Sequence, residues 1–169
     1  ECKRTDDGSA VILHFDVTGR KLAELRLKGL ATTDPLTGVL NRRGLEQILK
    51  VEIDRVRRTG VPLAALMLDC DDFKGVNDRL GHGAGDAVLT AVARRLEGEL
   101  RPEDSIARVG GDEFMVLLPE VSEAQAAAIA ERLRLAVAAQ PLAVSHEDLT
   151  VTVSMAIAMA DARVEHVED

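Results

Sequence analysis

The sequence predicts an α+β domain, a ferredoxin-like sheet built from a β-α-β-β-α-β unit with flanking helices. Three features carry this prediction: a continuous apolar run that ends in acid, two short apolar segments separated by a glycine pair, and amphipathic helical stretches between the strands. The chain has 169 residues, of which 46% are hydrophobic and 30% charged. This is enough for one globular domain with a substantial core and a short appendage.

The first part of the chain predicts a strand, a helix, a connector and a second helix. Residues 10–17 (AVILHFDV) form a short apolar run typical of a strand, and residues 20–30 carry leucines at helical spacing. Residues 31–44 contain proline and glycine, so we expect an irregular connector there. Residues 45–58 then have apolar side chains on one helical face, which predicts an amphipathic helix.

The middle of the chain predicts a buried strand followed by a loop and a helix. Residues 62–70 (PLAALMLDC) are apolar almost throughout, which favours a strand buried on both faces. The aspartate- and glycine-rich residues 71–84 predict a loop. Residues 85–100 carry an apolar stripe at helical spacing and predict a helix.

The last part of the chain predicts a hairpin, a helix and a final strand. Residues 105–109 and 113–119 flank the pair Gly110–Gly111, which is a hairpin signal. Residues 122–140 begin with a serine followed three residues later by glutamine, the pattern of a capping box. Residues 149–159 alternate between apolar and small or polar side chains, which predicts a strand with one buried face.

This element order brings acidic residues together. A right-handed β-α-β unit makes its two strands parallel, so both strands end at the same edge of the sheet. Asp69 ends the first strand, and Asp112 and Glu113 lie in the turn that follows the second. We therefore expect these three carboxylates to converge.

Composition excludes several classes of function. The net charge is −8 and the only aromatic residues are three phenylalanines, which argues against binding nucleic acid. Cys2 and Cys70 lie far apart, so neither a disulfide framework nor a zinc site is indicated, and a reducing, cytoplasmic setting is expected. No signal peptide or membrane-spanning run is present, so no direct membrane contact is expected of this chain. Because it does not begin with methionine, we interpret it as a fragment of a longer protein, which could itself be membrane-anchored.

Converging carboxylates without histidine or cysteine ligands suit a hard cation such as Mg²⁺, which usually binds together with substrate phosphates. The segment after Asp69 is not an EF-hand, because Phe73, Lys74 and Leu80 stand at its ligand and glycine positions. Its lysine could instead supply a mobile positive charge. Together these residues favour phosphoryl or nucleotidyl transfer.

Glycines flank this predicted site. Gly110 and Gly111, and likewise Gly81, Gly83 and Gly85, could adopt positive φ and let a ligand approach the backbone. The plainer alternative is a solvated hairpin turn and an aspartate that merely ends a strand. On the residues alone, the two interpretations stay open.

Three longer segments resemble a known family. "DPLTGVLNRRGL", "LDCDDFKGVNDRLGHGAGD" and "ARVGGDEF" are similar, in order and spacing, to the signature blocks of the GGDEF family of diguanylate cyclases. The similarity runs from about Thr33 to Ala158. It implies a polymerase-palm-like sheet and a homodimer in which each subunit supplies half of the site. It also implies condensation of two GTP into cyclic di-GMP with release of pyrophosphate.

The resemblance assigns roles by position. It implies that Asp69 and Asp112, with the backbone carbonyl of Cys70, bind Mg²⁺ or Mn²⁺. Lys74 would stabilise charge at the α-phosphate. Asp112 or Glu113 would help deprotonate the 3′-hydroxyl through the metal.

Two further groups follow from the resemblance. Asn77 and Asp86 match the pair that reads guanine, and a carboxylate accepting from guanine N–H groups would reject adenine. The implied GTP-binding residues are Phe73, Asn77, His82, Asp86, Gly110 and Gly111. Arg101 and Asp104 match the family's inhibitory product site, where cyclic di-GMP would act as feedback inhibitor. A solvated, ion-paired loop is the plainer interpretation of that last motif.

The resemblance also suggests a domain organisation. Residues 1–17 look like the remnant of the C-terminal strand of a PAS domain, and residues 18–32 like a signalling helix, either a coiled-coil connector or a plain capping helix. Residues 33–169 would be a C-terminally truncated GGDEF catalytic domain, because members usually continue into a helix that supplies phosphate-binding cations and covers the sheet. The alternative function is a regulatory module that binds GTP or cyclic di-GMP without turnover; the intact signature favours the enzyme.

Overall fold

The computed structural model describes residues 2–4, 10–12, 32–144 and 147–161, and the chain divides into two compact units, residues 1–31 and 32–169. In the first unit, strand β1 (Cys2–Arg4) pairs antiparallel with strand β2 (Ala10–Ile12). The predicted strand thus begins at the expected residue, whereas β1 was not predicted. Residues 1, 5–9 and 13–31, which include the predicted helix and most of the predicted PAS remnant, lie outside the described residues.

The second unit holds the predicted fold. Its strands are β3 (Leu40–Asn41), β4 (Leu63–Cys70), β5 (Ser105–Arg108), β6 (Glu113–Pro119), β7 (Leu142–Val144), β8 (Glu147–Leu149) and β9 (Val153–Ala160). Its helices are α1 (Arg42–Thr59), α2 (Phe73–Leu80), α3 (His82–Gly98) and α4 (Glu123–Ala138). One sheet has the order β3-β5-β6-β4-β9, and β7 and β8 form a separate antiparallel pair. Strands β4, β5, β6 and β9, with helices α3 and α4, follow the predicted β-α-β-β-α-β order, which confirms the α+β fold class. Helix α2 and the β7–β8 pair are additions to that order.

Helices cover both faces of this sheet. Alternate residues of β4 and β6, among them Leu66, Leu68 and Phe114, are fully buried with the apolar stripes of α3 and α4. On the opposite face α1 packs over Leu63 and Leu117. Burial on both faces explains why the first half of β4 is continuously apolar.

One part of the second face is exposed. Met67, on the α1 side of β4, is 39% exposed, and Ala156 and Ala158 of the neighbouring β9 are exposed on the same face. The prediction that β4 is buried on both faces is therefore wrong for its second half.

The region after β4 differs from the prediction. Residues 71–84 were expected to form a loop, but Phe73–Leu80 forms α2 and α3 begins at His82. Phe73, Val76 and Leu80 lie at helical spacing and pack towards the core, which stabilises the short helix despite its glycine. Gly81, with φ of +84°, separates the two helices.

Helix ends follow local capping chemistry. The side chain of Asn41 accepts a hydrogen bond from the Gly44 amide, so α1 begins three residues earlier than predicted. The capping box predicted for α4 is confirmed: Ser122 and Gln125 bond each other's backbone amides.

The final strand is also shorter than predicted. Residues 149–159 were expected to form one strand, but Leu149 belongs to β8 and the main sheet is rejoined only at Val153. Val153 is buried, whereas Ile157 on the same face is 41% exposed because β9 lies at the end of the described sheet. Within the described residues, no helix is long and apolar enough to cross a membrane.

Candidate active site

The candidate site lies where β4 ends beside the β5–β6 hairpin. β6 lies between β4 and β5 and runs antiparallel to both, so β4 and β5 are parallel and end at the same edge. Asp69 pairs with Glu113 across this edge. The Cys70 amide donates to the Asp112 carbonyl at 3.2 Å. The backbone thus brings the three acids to one edge of the sheet, as predicted from the right-handed β-α-β unit.

The pKa of the Cys70 thiol reflects the negative charge at this edge. Burial raises the pKa of its thiol to about 12, and the nearby carboxylates of Asp112, Asp69 and Asp71 add to the increase. Arg108 acts in the opposite direction. Concentrated negative charge and oxygen donors fit a hard cation.

The carboxylates alone do not complete a metal site. Across the described residues, no group of three histidine, cysteine, aspartate or glutamate side chains is placed to hold a metal ion. A cation here would therefore need further oxygens from the backbone or from a bound phosphate. Mg²⁺ commonly binds in this way.

Arg108 braces the hairpin turn. Its Nε and one terminal nitrogen donate to the Gly111 carbonyl at 3.0 and 2.7 Å. Its other terminal nitrogen lies 3.3 Å from the Asp34 carboxylate, and both side chains are mostly buried. The turn that carries Asp112 is thus tied to the connector before α1.

Asp34 is in turn fixed by Thr37, whose amide and hydroxyl both donate to it, at 2.9 and 2.7 Å. Burial alone would raise the pKa of Asp34, but these hydrogen bonds and the charge of Arg108 outweigh it and hold that pKa below its ordinary value. The sequence analysis did not identify Asp34 or Arg108 as functional residues. The available signal was an opposite-charge pair in two separate signature blocks.

The two hairpin glycines serve different purposes. Neither has a positive φ, so the expectation that they provide left-handed backbone is wrong; of the five glycines considered, only Gly81 does. A Cβ atom at Gly110 would overlap the Glu113 carboxylate, which lies against it. Gly111 is exposed with open space beside it. Gly110 therefore makes room for Glu113, and Gly111 leaves room outside the turn.

A second close approach joins α2 and α3. A Cβ at the buried Gly85 would overlap the side-chain oxygen of Asn77 and lie 3.1 Å from the Phe73 ring. Asp86 is the next residue of α3 and is exposed. Gly85 thus allows Asn77 to lie against the helix turn that carries Asp86.

Two other predicted residues are exposed around this region. Lys74 lies in the first turn of α2, and His82 is the first residue of α3. Both side chains are exposed. Both side chains are therefore accessible to a ligand.

Arg101 and Asp104 lie elsewhere. They precede β5, at the opposite end of that strand from the acidic turn, so the structure does not bring them into the acidic cluster. The Asp104 carboxylate accepts from the Arg101 amide at 2.9 Å. Arg101 lines two open hollows of about 480 and 460 Å³, the second shared with Arg55 and Glu120.

This arrangement defines a class of protein: a polymerase-palm-like α+β domain with carboxylates and a glycine turn at one edge of its sheet. Residues 31–169 match the family model described as diguanylate cyclase, GGDEF domain. The chain therefore belongs to the GGDEF family of diguanylate cyclases, which are nucleotidyltransferases.

Individual proteins agree with this assignment. The chain is 47% identical over 127 residues to diguanylate cyclase DgcP of Pseudomonas aeruginosa, covering 75% of this chain and 19% of DgcP. The crystal structure of diguanylate cyclase SiaD with its activator SiaC, from the same organism, superposes with a TM-score of 0.76 at 39% identity, covering 88% of this chain and 57% of SiaD.

The GGDEF domain of DgcB from Caulobacter crescentus, in complex with c-di-GMP, gives a TM-score of 0.75 at 33% identity. That alignment covers 78% of this chain and 79% of the DgcB domain. The curated relatives are much longer, because the chain spans 19% of DgcP and under a third of other curated relatives that it matches.

Proposed function

We propose that this chain is the catalytic domain of a diguanylate cyclase that condenses two GTP into cyclic di-GMP and two pyrophosphates. Each 3′-hydroxyl would attack the α-phosphate of the other GTP, forming one P–O bond as pyrophosphate leaves. The observation that carries the proposal is the convergence of Asp69, Asp112 and Glu113 at one sheet edge within a complete family signature.

The donor set favours a divalent cation, Mg²⁺ or Mn²⁺. Asp69 and Asp112 would hold it, together with the backbone carbonyl of Cys70. When bound, such an ion neutralises the charge of the triphosphate. This accounts for an acidic site in a protein of net charge −8 that handles an anionic substrate.

The chain's own side chains would orient the nucleotide. Asn77 and Asp86 would read the guanine edge, with Phe73 and Gly85 fixing the position of the asparagine amide. Lys74 would reach the α-phosphate and oppose the charge that develops there. His82 would contact the substrate at the start of α3.

The acidic turn would supply the proton acceptor. The Glu113 carboxylate lies against Gly110 at the exposed edge, and Asp112 is its neighbour. Either carboxylate could accept the proton of the attacking 3′-hydroxyl. Gly111 would leave space for the phosphates beside the turn.

One chain supplies one nucleotide site, whereas the reaction joins two nucleotides head to tail. We therefore propose a homodimer with the two acidic edges facing each other. Arg101 and Asp104, at the far end of β5, would bind cyclic di-GMP as a feedback inhibitor. The exposed arginine and the two hollows beside it support this assignment.

The test is incubation of the purified chain with GTP and Mg²⁺, followed by chromatography of the nucleotides. We expect cyclic di-GMP and pyrophosphate, and a loss of at least about a hundredfold in Asp112→Ala. Asp78→Asn, a change at an exposed carboxylate on α2, is the matched control and should retain activity.

Absence of product from the unaltered chain, with GTP still bound, would contradict the catalytic proposal. That result would favour the regulatory-module alternative. Repeating the assay on a longer piece of the parent protein would then separate an incomplete enzyme from a true binding module.

A further inference from the structure

Asp71 is tied to the start of β9 through both its backbone and its side chain. Its amide donates to the Thr152 carbonyl at 3.0 Å, extending the pairing of β4 and β9 by one residue. Its carboxylate accepts from the Thr152 hydroxyl and from the Ser154 hydroxyl, each at 2.6 Å. Asp71 thus contacts two residues of one distant segment, 81 and 83 positions away in the sequence.

These contacts use a different oxygen for each hydroxyl. The Ser154 hydroxyl donates to Oδ1 and the Thr152 hydroxyl donates to Oδ2, so both oxygens of the Asp71 carboxylate are occupied. Within the described residues, no side-chain hydrogen bond holds the carboxylate of Asp69 or Asp112 in this way. Asp71 therefore differs from its acidic neighbours in being already committed to protein donors.

We call the hydrogen bonds of Asp71 to Thr152 and Ser154 the clamp. The clamp is important because of the position of Asp71 in the chain. The next residue, Asp72, adopts a left-handed conformation with φ of 54° and ψ of 27°, and the chain turns there from β4 into α2. The Asp72 side chain makes no capping hydrogen bond to α2. The ties of Asp71 to β9 therefore fix the strand end just before the turn that sets the direction of α2.

We propose that Asp71 is a positioning residue of the cyclase reaction and not a further metal ligand. It holds the Asp69–Cys70 strand end and the first turn of α2, which carries Lys74, in a fixed relation. This inference rests on the proposed function. It explains why a second acid directly follows Asp69 and Cys70, the two residues of this strand assigned to the metal.

The first test compares three variants of the full chain: Asp71→Ala, Asp71→Asn and the double change Thr152→Val with Ser154→Ala. We expect Asp71→Ala and the double variant each to lower kcat about tenfold with little change in the KM for GTP, because misplacement of reacting groups lowers the rate of chemistry. The triple variant, which combines Asp71→Ala with the double change, should have the same kcat as Asp71→Ala or the double variant, since all three remove the same interaction. Asp71→Asn should recover most of the rate, because an amide can accept from one hydroxyl and donate to the other.

A metal ligand would behave differently. Asp71→Asn would then be as impaired as Asp71→Ala, and the double variant would match the unaltered chain. The Mg²⁺ concentration for half-maximal activity would rise only in the Asp71 variants. Any of these results would overturn the proposal. Thr59→Val, which removes an exposed hydroxyl at the end of α1, is the control for loss of a hydroxyl.

A second measurement does not depend on turnover. Hydrogen exchange of the Asp71 amide should be faster in both Asp71→Ala and the double variant. Unchanged exchange in both would overturn the clamp.

The two proposals can fail separately. If the unaltered chain makes no cyclic di-GMP, the proposed function fails, while amide exchange still decides whether the clamp exists. Thermal unfolding of each variant verifies that it is folded.

Discussion

The two turns that carry the candidate site are held by opposite chemistry. The hairpin turn before β6 is braced by a cation, because Arg108 donates to the Gly111 carbonyl and pairs with Asp34. The turn after β4 is braced by an anion, because the Asp71 carboxylate accepts from the hydroxyl of Ser154 in β9 and from that of Thr152 just before β9. In both, the brace is a neighbour of the proposed functional acids and not one of them. The acids proposed to bind a ligand are thus positioned by neighbouring side chains that are themselves hydrogen-bonded within the protein.

The largest expected effect comes from filling the hairpin turn itself. Gly110→Ala would place a methyl group where the Glu113 carboxylate lies, so this flexible, proposed catalytic side chain must move away from the turn. We expect cyclase activity to fall about a hundredfold, since the reacting groups tolerate little displacement. The measurement is cyclic di-GMP formation at saturating GTP. Gly98→Ala, at a helical glycine with open space around it, should leave the activity unchanged.

Removing the cationic brace should have an intermediate effect. Arg108→Ala leaves the mostly buried Asp34 carboxylate without its cation, and we expect about 1–3 kcal/mol loss of unfolding free energy. Activity should fall with it, because the Gly111 carbonyl loses two donors. Urea unfolding measures the first effect, and the nucleotide assay the second.

A double-mutant cycle of Asp34→Asn and Arg108→Ala tests whether the two residues stabilise the turn together. The quantity compared is the unfolding free energy of each variant. The two changes should be clearly non-additive if the pair acts as one brace. Additive changes would show that Arg108 holds the turn without help from Asp34.

The smallest expected effect is a pH dependence. The pKa of Asp34 is lower in the folded chain than in the unfolded chain, so the folded state binds fewer protons at this group. Its contribution to stability is therefore fully present above the unfolded pKa and is lost as the pH falls through the folded value. Asp34→Asn should flatten that part of the curve of unfolding free energy against pH below about pH 4. An unaltered curve would mean that the carboxylate charge contributes nothing to the brace.

The sequence predicted the acidic cluster because its causes are local and topological. The apolar run of β4, the glycine pair and the handedness of a β-α-β unit were sufficient to bring Asp69 to the hairpin. The braces were not predicted, because each joins residues 74 to 83 positions apart through side chains whose partners depend on tertiary packing. Nothing local to Asp71 distinguishes it from Asp69.

The errors have equally physical causes. Aspartates and a glycine made residues 73–80 resemble a loop, yet burial of Phe73 and Val76 outweighed their weak helix propensity. The alternation after Leu149 suggested one long strand, but a local hairpin takes up its first residue before β9 begins. At Gly110 the residue type indicated freedom of φ, whereas the structure uses the absence of a side chain. The roles of the individual site residues stay predictions.

The place of β9 at the end of the described sheet has a consequence for solution behaviour. From Ser154 to Ala160 it carries no charge and no proline, the features that usually protect an edge strand from pairing with another chain. Intermolecular strand addition would engage the strand that receives the Asp71 carboxylate. Specific activity should therefore be compared at several protein concentrations, since aggregation along this edge and loss of catalytic geometry would involve the same backbone.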